Sequence, residues 1–101
     1  MAQEKIIVRG DADLRDLIPV FLANRRDDVG RLRQALEQAD DQTVKTLAHR
    51  MKGEGGGYGF DGISTIGAAM ETAIKGDDRA RVRSLVDDLA DYLDRVEVVF
   101  D

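Results

Sequence analysis

The chain predicts an all-α fold, an antiparallel up-down four-helix bundle with a short N-terminal extension. Three observations carry this reading. Apolar residues recur at three- and four-residue spacing in four successive segments. Short turns containing Asp or Gly separate those segments, and short turns join antiparallel helical neighbours. No segment shows the strict apolar–polar alternation of a half-buried strand.

The 101 residues, 43% of them apolar, suit one domain, 1–101. Helices are expected over about 12–38, 41–59, 62–75 and 78–100. The first carries Leu14, Leu17, Ile18, Phe21, Leu22, Val29, Leu32 and Leu36 on one stripe. Pro19 lies within it, and because the stripe keeps its phase a kink is expected rather than a break. Asp40 or Asp41 caps the second helix, whose stripe is Val44, Leu47, Ala48, Met51 and Tyr58. Asp61 caps the third, with Ile63, Ile66, Met70 and Ile74 facing inward and Gly76 as its stop. Asp77 or Asp78 caps the fourth, with Val82, Leu85, Val86, Leu89, Leu93, Val96 and Phe100. Leu22, Leu32, Leu47, Met51, Ile66, Met70, Leu89 and Leu93 should meet in one core. Ile6-Ile7-Val8 is β-prone but has no evident partner, so an extended arm or a short helix against the bundle is expected.

Composition narrows the function. A formal charge of −5 argues against a general nucleic-acid binder, which needs a basic face. The absence of Cys removes disulfides and thiolate metal sites. No apolar run approaches the roughly 20 residues needed to span a bilayer, and Ile6-Ile7-Val8 is too short for a secretory signal. A cytoplasmic protein without membrane contact is expected. No apolar stripe is left over for a partner, which predicts a monomer.

His49, the one histidine, falls on the second helix. At about 100° per residue it sits roughly 140° from the middle of the apolar stripe, which points it to solvent. Lys52 and Gly53 are its neighbours three and four residues on, Gly56 lies a turn further, and Lys45 lies a turn before. A neutral imidazole can attack phosphorus, and Lys52 and Lys45 could stabilise charge spreading over phosphoryl oxygens. Gly53 and Gly56 would allow a second protein's active site to come close. A lone exposed His is ordinarily a surface residue, and a Gly-rich run ordinarily marks a loop. Five glycines from Gly53 to Gly59, at about 0.8–1.0 kcal/mol each in a helix interior, are a real cost. Either this segment is not fully helical, or close approach to a neighbour outweighs the penalty. Gly55 falls on the apolar side, where it suits helix–helix contact.

The stretch Ala48-His49-Arg50-Met51-Lys52-Gly53, with Tyr58-Gly59-Phe60 after it, resembles the signature of the histidine-containing phosphotransfer domains of bacterial two-component phosphorelays. That signature runs His, any residue, an apolar residue, Lys, Gly, then Gly six residues later. The likeness extends to Phe21-Leu22-Ala23-Asn24-Arg25-Arg26, to the Ala39-Asp40 turn and to Gly76-Asp77. The triple Gly55-Gly56-Gly57 departs from it. The resemblance implies that His49 is the phosphoryl acceptor and Lys52 its electrostatic helper, with Gly53, Gly56, Lys45 and Arg50 at the docking surface. The implied partners are response-regulator receiver domains, a histidine kinase, or both. The receiver would bring the metal-binding half of the site, so no metal or cofactor is expected here. The chain has no nucleotide-binding Gly loop, so a phosphoryl carrier without autonomous ATP-dependent activity is expected, not an enzyme.

Two other readings fit parts of the pattern. One is the dimerisation domain of a sensor histidine kinase, where an acidic residue typically follows the His; here Arg50 does. The other is a non-catalytic helical adaptor, against which the intact His49, Lys52 and Gly53 set speaks.

Overall fold

A computed structural model describes residues 4–100. Residues 1–3 and 101 of the expected single domain lie outside the described residues. The order is strand β1 (Ile6–Arg9), a 3₁₀ turn (Ala12–Leu14), α1 (Ile18–Glu37), α2 (Asp41–Glu54), a second 3₁₀ turn (Gly56–Tyr58), α3 (Asp61–Lys75), α4 (Arg79–Arg95) and strand β2 (Val96–Val99). The fold is mostly helical. α1 and α3 each pack against both α2 and α4. Leu22, Leu32, Leu47, Met51, Met70, Leu89 and Leu93 are buried in one core as expected, whereas Ile66 is only half-buried at its margin. Among the described residues no helix is long and apolar enough to cross a membrane.

Pro19 breaks the first helical segment rather than kinking it. A proline ring clashes with the carbonyl four residues back and offers no N–H, so a helix started at residue 12 could not run through it unbroken. At the second position of α1 the same ring is harmless, because that N–H would lack a partner anyway. Residues 12–14 form a separate turn, with Asp11 accepting from the Asp13 N–H at 2.9 Å. Leu17, which the stripe put inside, is 52% exposed. Two charged residues of α1, Arg25 and Asp28, are buried where only apolar ones were expected.

The turns from α1 to α2 and from α3 to α4 share one design. Ala39 (φ 53°) and Asp77 (φ 57°) take the left-handed conformation. The next N–H, of Asp40 or Asp78, then donates back to Ala35 O (2.8 Å) or Ala73 O (2.9 Å). Each of these aspartates also opens the following helix. Asp40 accepts from the Thr43 N–H at 3.2 Å and Asp78 from the Arg81 N–H at 3.0 Å. Gly76 closes α3 at a negative φ of −91°, leaving the left-handed position to Asp77. Asp61 does not cap α3. It is the first helical residue, and Phe60 before it offers no side-chain cap.

The C-terminal segment departs from the all-helical expectation. α4 stops at Arg95, and β2 pairs in parallel with β1, Ile6 opposite Val96 and Val8 opposite Val98. Val96 and Phe100 also satisfy helical spacing, which hides the alternation of Val96 and Val98, both partly buried against the core. The arm therefore has a strand partner after all. Gly10 donates to Val99 O at 2.8 Å, and a Cβ there would lie 2.6 Å from the Phe100 ring. Arg95 Nε donates to the Glu4 carbonyl at 2.8 Å, and the Arg15 guanidinium sits 4.7 Å over the Phe100 ring.

Candidate functional site

Val44, Leu47, Ala48 and Met51 anchor α2 in the core and turn His49 outward, its side chain 77% exposed. The ring is not free. Nδ1 lies 2.8 Å from Oε2 of Glu71 on α3. The other carboxylate oxygen accepts from Lys52 Nζ at 3.2 Å, and Lys75 Nζ stands 3.9 Å from it. Glu71 is far more covered than His49, at 13% side-chain exposure.

The hydrogen bonds from His49 and Lys52 hold the Glu71 carboxyl below the usual glutamate range, with the charges of Lys52 and Lys75 acting in the same direction. An ionised carboxylate only accepts, so the proton of the neutral imidazole resides on Nδ1. Nε2 is left with its lone pair on an exposed ring. Such a nitrogen can attack an electrophilic phosphorus.

Gly67 makes this contact possible. A Cβ on it would stand 2.6 Å from Lys52 N, 2.9 Å from Ala48 O and 3.0 Å from Met51 Cβ. Without that side chain α3 lies close against α2. Glu71, one turn after Gly67, then comes within reach of His49, one residue after Ala48.

The Gly-rich run ends α2 at Glu54 and not near residue 59, as the helix penalty of consecutive glycines favours. Gly53 is on the helix, with nothing within 4 Å of where a Cβ would be. Gly55 is buried, and a Cβ there would be 2.6 Å from Ser64 N, in keeping with a contact role. Gly56 does not continue the helical face of His49. It begins the 3₁₀ turn, and its N–H donates to Ser64 Oγ at 2.7 Å. Gly59 has φ 89°, a conformation that favours glycine. Lys45 and Arg50 are exposed, and with Gln42, Thr46, His49 and Glu71 they line a shallow groove.

Sequence reasoning missed Gly67, Glu71 and Lys75. They form an i, i+4, i+8 row, and Glu71 is the only Glu of α3. Periodicity separates the inner face of the third helix from the outer, but it does not say which flank of that helix meets His49.

The family model of the Hpt domain matches residues 16–98, from just before α1 into β2, leaving β1 outside. No curated protein and no solved structure matches the chain. Hpt domains serve phosphotransfer in two-component signalling, together with histidine kinases and response regulators. A match over most of the length, on a fold of four packed helices, establishes that the chain belongs to the Hpt domain family.

Proposed function

We propose that the protein is a phosphorelay intermediate that accepts and donates a phosphoryl group on Nε2 of His49. It exchanges the group with the aspartate of receiver domains or takes it from a histidine kinase. The observation that carries this reading is the contact between Nδ1 and Glu71. With the Nδ1 proton held by the carboxylate, the Nε2 lone pair attacks the phosphorus of an aspartyl phosphate. The N–P bond forms as the P–O bond to the aspartate breaks, and the electron pair leaves with the aspartate carboxylate. Nδ1 keeps its proton, and Glu71 offsets the positive charge that develops on the ring. Lys52 assists by stabilising the phosphoryl oxygens. Return of the group to a receiver is the reverse of this step.

The three-residue turns from α1 to α2 and from α3 to α4 support helices in up-down antiparallel order, with His49 in mid-helix on an outer face. Lys45, Arg50, Gly53 and Gly56 belong to the surface that meets the partner. The carrier works as a cytoplasmic monomer, with no metal or cofactor of its own and no ATP-dependent activity. The receiver supplies the acidic, metal-binding half of the site. Sensor-kinase dimerisation helices typically place an acid directly after the His; here Glu71 reaches the ring from a second helix of the same chain, which favours the carrier over that rival.

A transfer profile against a panel of phosphorylated receivers tests the proposal. The wild type should take label from at least one, in an acid-labile, base-stable linkage, and His49→Gln should take none. Label retained by the Gln variant would overturn the assignment.

A further inference from the structure

The segment after His49 should be loose. It holds Gly53, Gly55, Gly56, Gly57 and Gly59, and glycine gains least from being helical. Glu54, which ends α2, adds a negative charge where the helix carbonyls already concentrate one. Something must hold this stretch, and two residues of α1 do so. Arg25 Nη1 donates to Glu54 Oε2 at 2.8 Å. One turn earlier on the same face, Phe21 stacks on Tyr58 at 4.3 Å and on Phe60 at 5.6 Å between ring centroids. The chain is thus gripped immediately before Gly55-Gly56-Gly57 and immediately after.

The grip is itself rigid. Arg25 is only 5% exposed, and its guanidinium lies 5.1 Å over the Phe21 ring. Its Nε stands 3.0 Å from Asp28 Oδ2 as an ion pair off the hydrogen-bonding line, leaving both atoms without a hydrogen-bond partner. The directed bond to Glu54 therefore aims the guanidinium at α2. Gly53 and Gly57, the positions with nothing within 4 Å, stay open on the outside of the held segment.

We infer that Phe21 and Arg25 are positioning residues for receiver docking, holding the glycine-rich segment in a single conformation beside His49 before the partner arrives. A preformed surface spares the ordering cost of binding. The inference rests on the phosphotransfer reading and adds residues that touch neither phosphoryl group nor partner.

Glu54→Ala and Glu54→Gln give the test, since the Glu54 side chain is 45% exposed and its loss leaves the core intact. Amide exchange over residues 53–60, transfer from a phosphorylated receiver, and direct labelling by phosphoramidate are measured on the whole chain. Glu54→Ala should speed exchange of these amides about tenfold, as local opening becomes easier. It should raise the receiver KM about three- to tenfold with kcat little changed, a loss of binding alone. Phosphoramidate labelling of His49 should not change. Glu54→Gln, whose amide oxygen still accepts from Arg25, should restore most of both losses. Phe21→Leu, apolar but unable to stack, should give the same split as Glu54→Ala. Unchanged exchange in Glu54→Ala, or faster exchange with an unchanged KM, would overturn the inference. Failure of the wild type to label at His49 would instead overturn the phosphotransfer reading beneath it.

Discussion

Glu71 Oε2 sits 2.8 Å from His49 Nδ1, and the two residues come from different helices, 22 positions apart. The acid that orients the imidazole is thus set by how α2 and α3 approach, and that approach is set by Gly67. Orientation, tautomer and helix spacing at this site depend on one another.

Glu71→Ala should slow phosphoryl acceptance about 10- to 100-fold, the scale on which a metal-bound histidine suffers when it loses the carboxylate that orients it. Glu71→Gln should lose less, because its amide oxygen still accepts from Nδ1–H. In the neutral ring, nitrogen NMR of the imidazole should find the proton on Nδ1 in the wild type and divided between the Nδ1–H and Nε2–H tautomers in the Ala variant. An Nδ1 without its proton in the wild type would refute the role given to Glu71.

Gly53→Ala and Gly67→Ala should have opposite effects on folding. The first adds a methyl in open space on a helix and should stabilise by about 0.5–1 kcal/mol. The second forces a methyl against the α2 backbone and should destabilise by about 1–3 kcal/mol, while moving Glu71 away from His49. Urea midpoints beside transfer rates check both. If Gly53 serves docking, its Ala variant is the more stable protein and the poorer receiver partner.

Lys52→Ala should slow transfer about two- to fivefold at low salt, the scale of one exposed charge. Lys75 remains near the vacated Glu71 oxygen and limits the loss. Removing both lysines should cost more than the two single losses combined. Rates for the two single variants and the double variant, at low and high salt, make the comparison. Rates equal to wild type in Lys52→Ala would make that lysine a bystander.

The pH dependence of stability has two opposed parts. Hydrogen bonds from Thr43 hold the Asp40 carboxyl below the usual aspartate range, and those from His49 and Lys52 do the same for Glu71. Their contribution is whole above the unfolded carboxylate pKa and is lost as pH falls towards the folded values. Asp28 runs the other way: burial pushes its carboxyl up, against the pull of Arg25, Arg31 and Arg50. Its charge opposes folding near neutrality, and that opposition is relieved as pH falls through the raised value. In urea titrations from about pH 7 to pH 3, Asp40→Asn should flatten the acid loss of stability and Asp28→Asn should steepen it.

The four helices were legible because burial of one face imposes helical spacing on Leu, Ile and Val. His49 with Lys52 and Gly53 was legible because the three are neighbours along one helix. Three kinds of feature were hidden. Arg25 and Asp28 are charged, and only tertiary contact shows that they can be covered. Gly67 and Glu71 act across a helix pair whose facing flanks no periodicity specifies. Val96 to Phe100 satisfies two periods at once, and what decides for a strand is Ile6 to Arg9, some ninety residues away along the chain.

The parallel pairing of β1 and β2 also determines how the protein would meet mechanical load. In a parallel pair the N-terminal strand begins at the end of the ladder opposite to where the C-terminal strand finishes. Tension applied through residues 4 and 100 would run along both strands in opposite directions, and the inter-strand hydrogen bonds would be sheared together. An antiparallel hairpin pulled from its open end would unzip them one at a time. Rupture of the bundle by its ends must therefore begin with this ladder and with the Phe100 ring seated over Gly10, so pulling through residues 4 and 100 should meet its first resistance there.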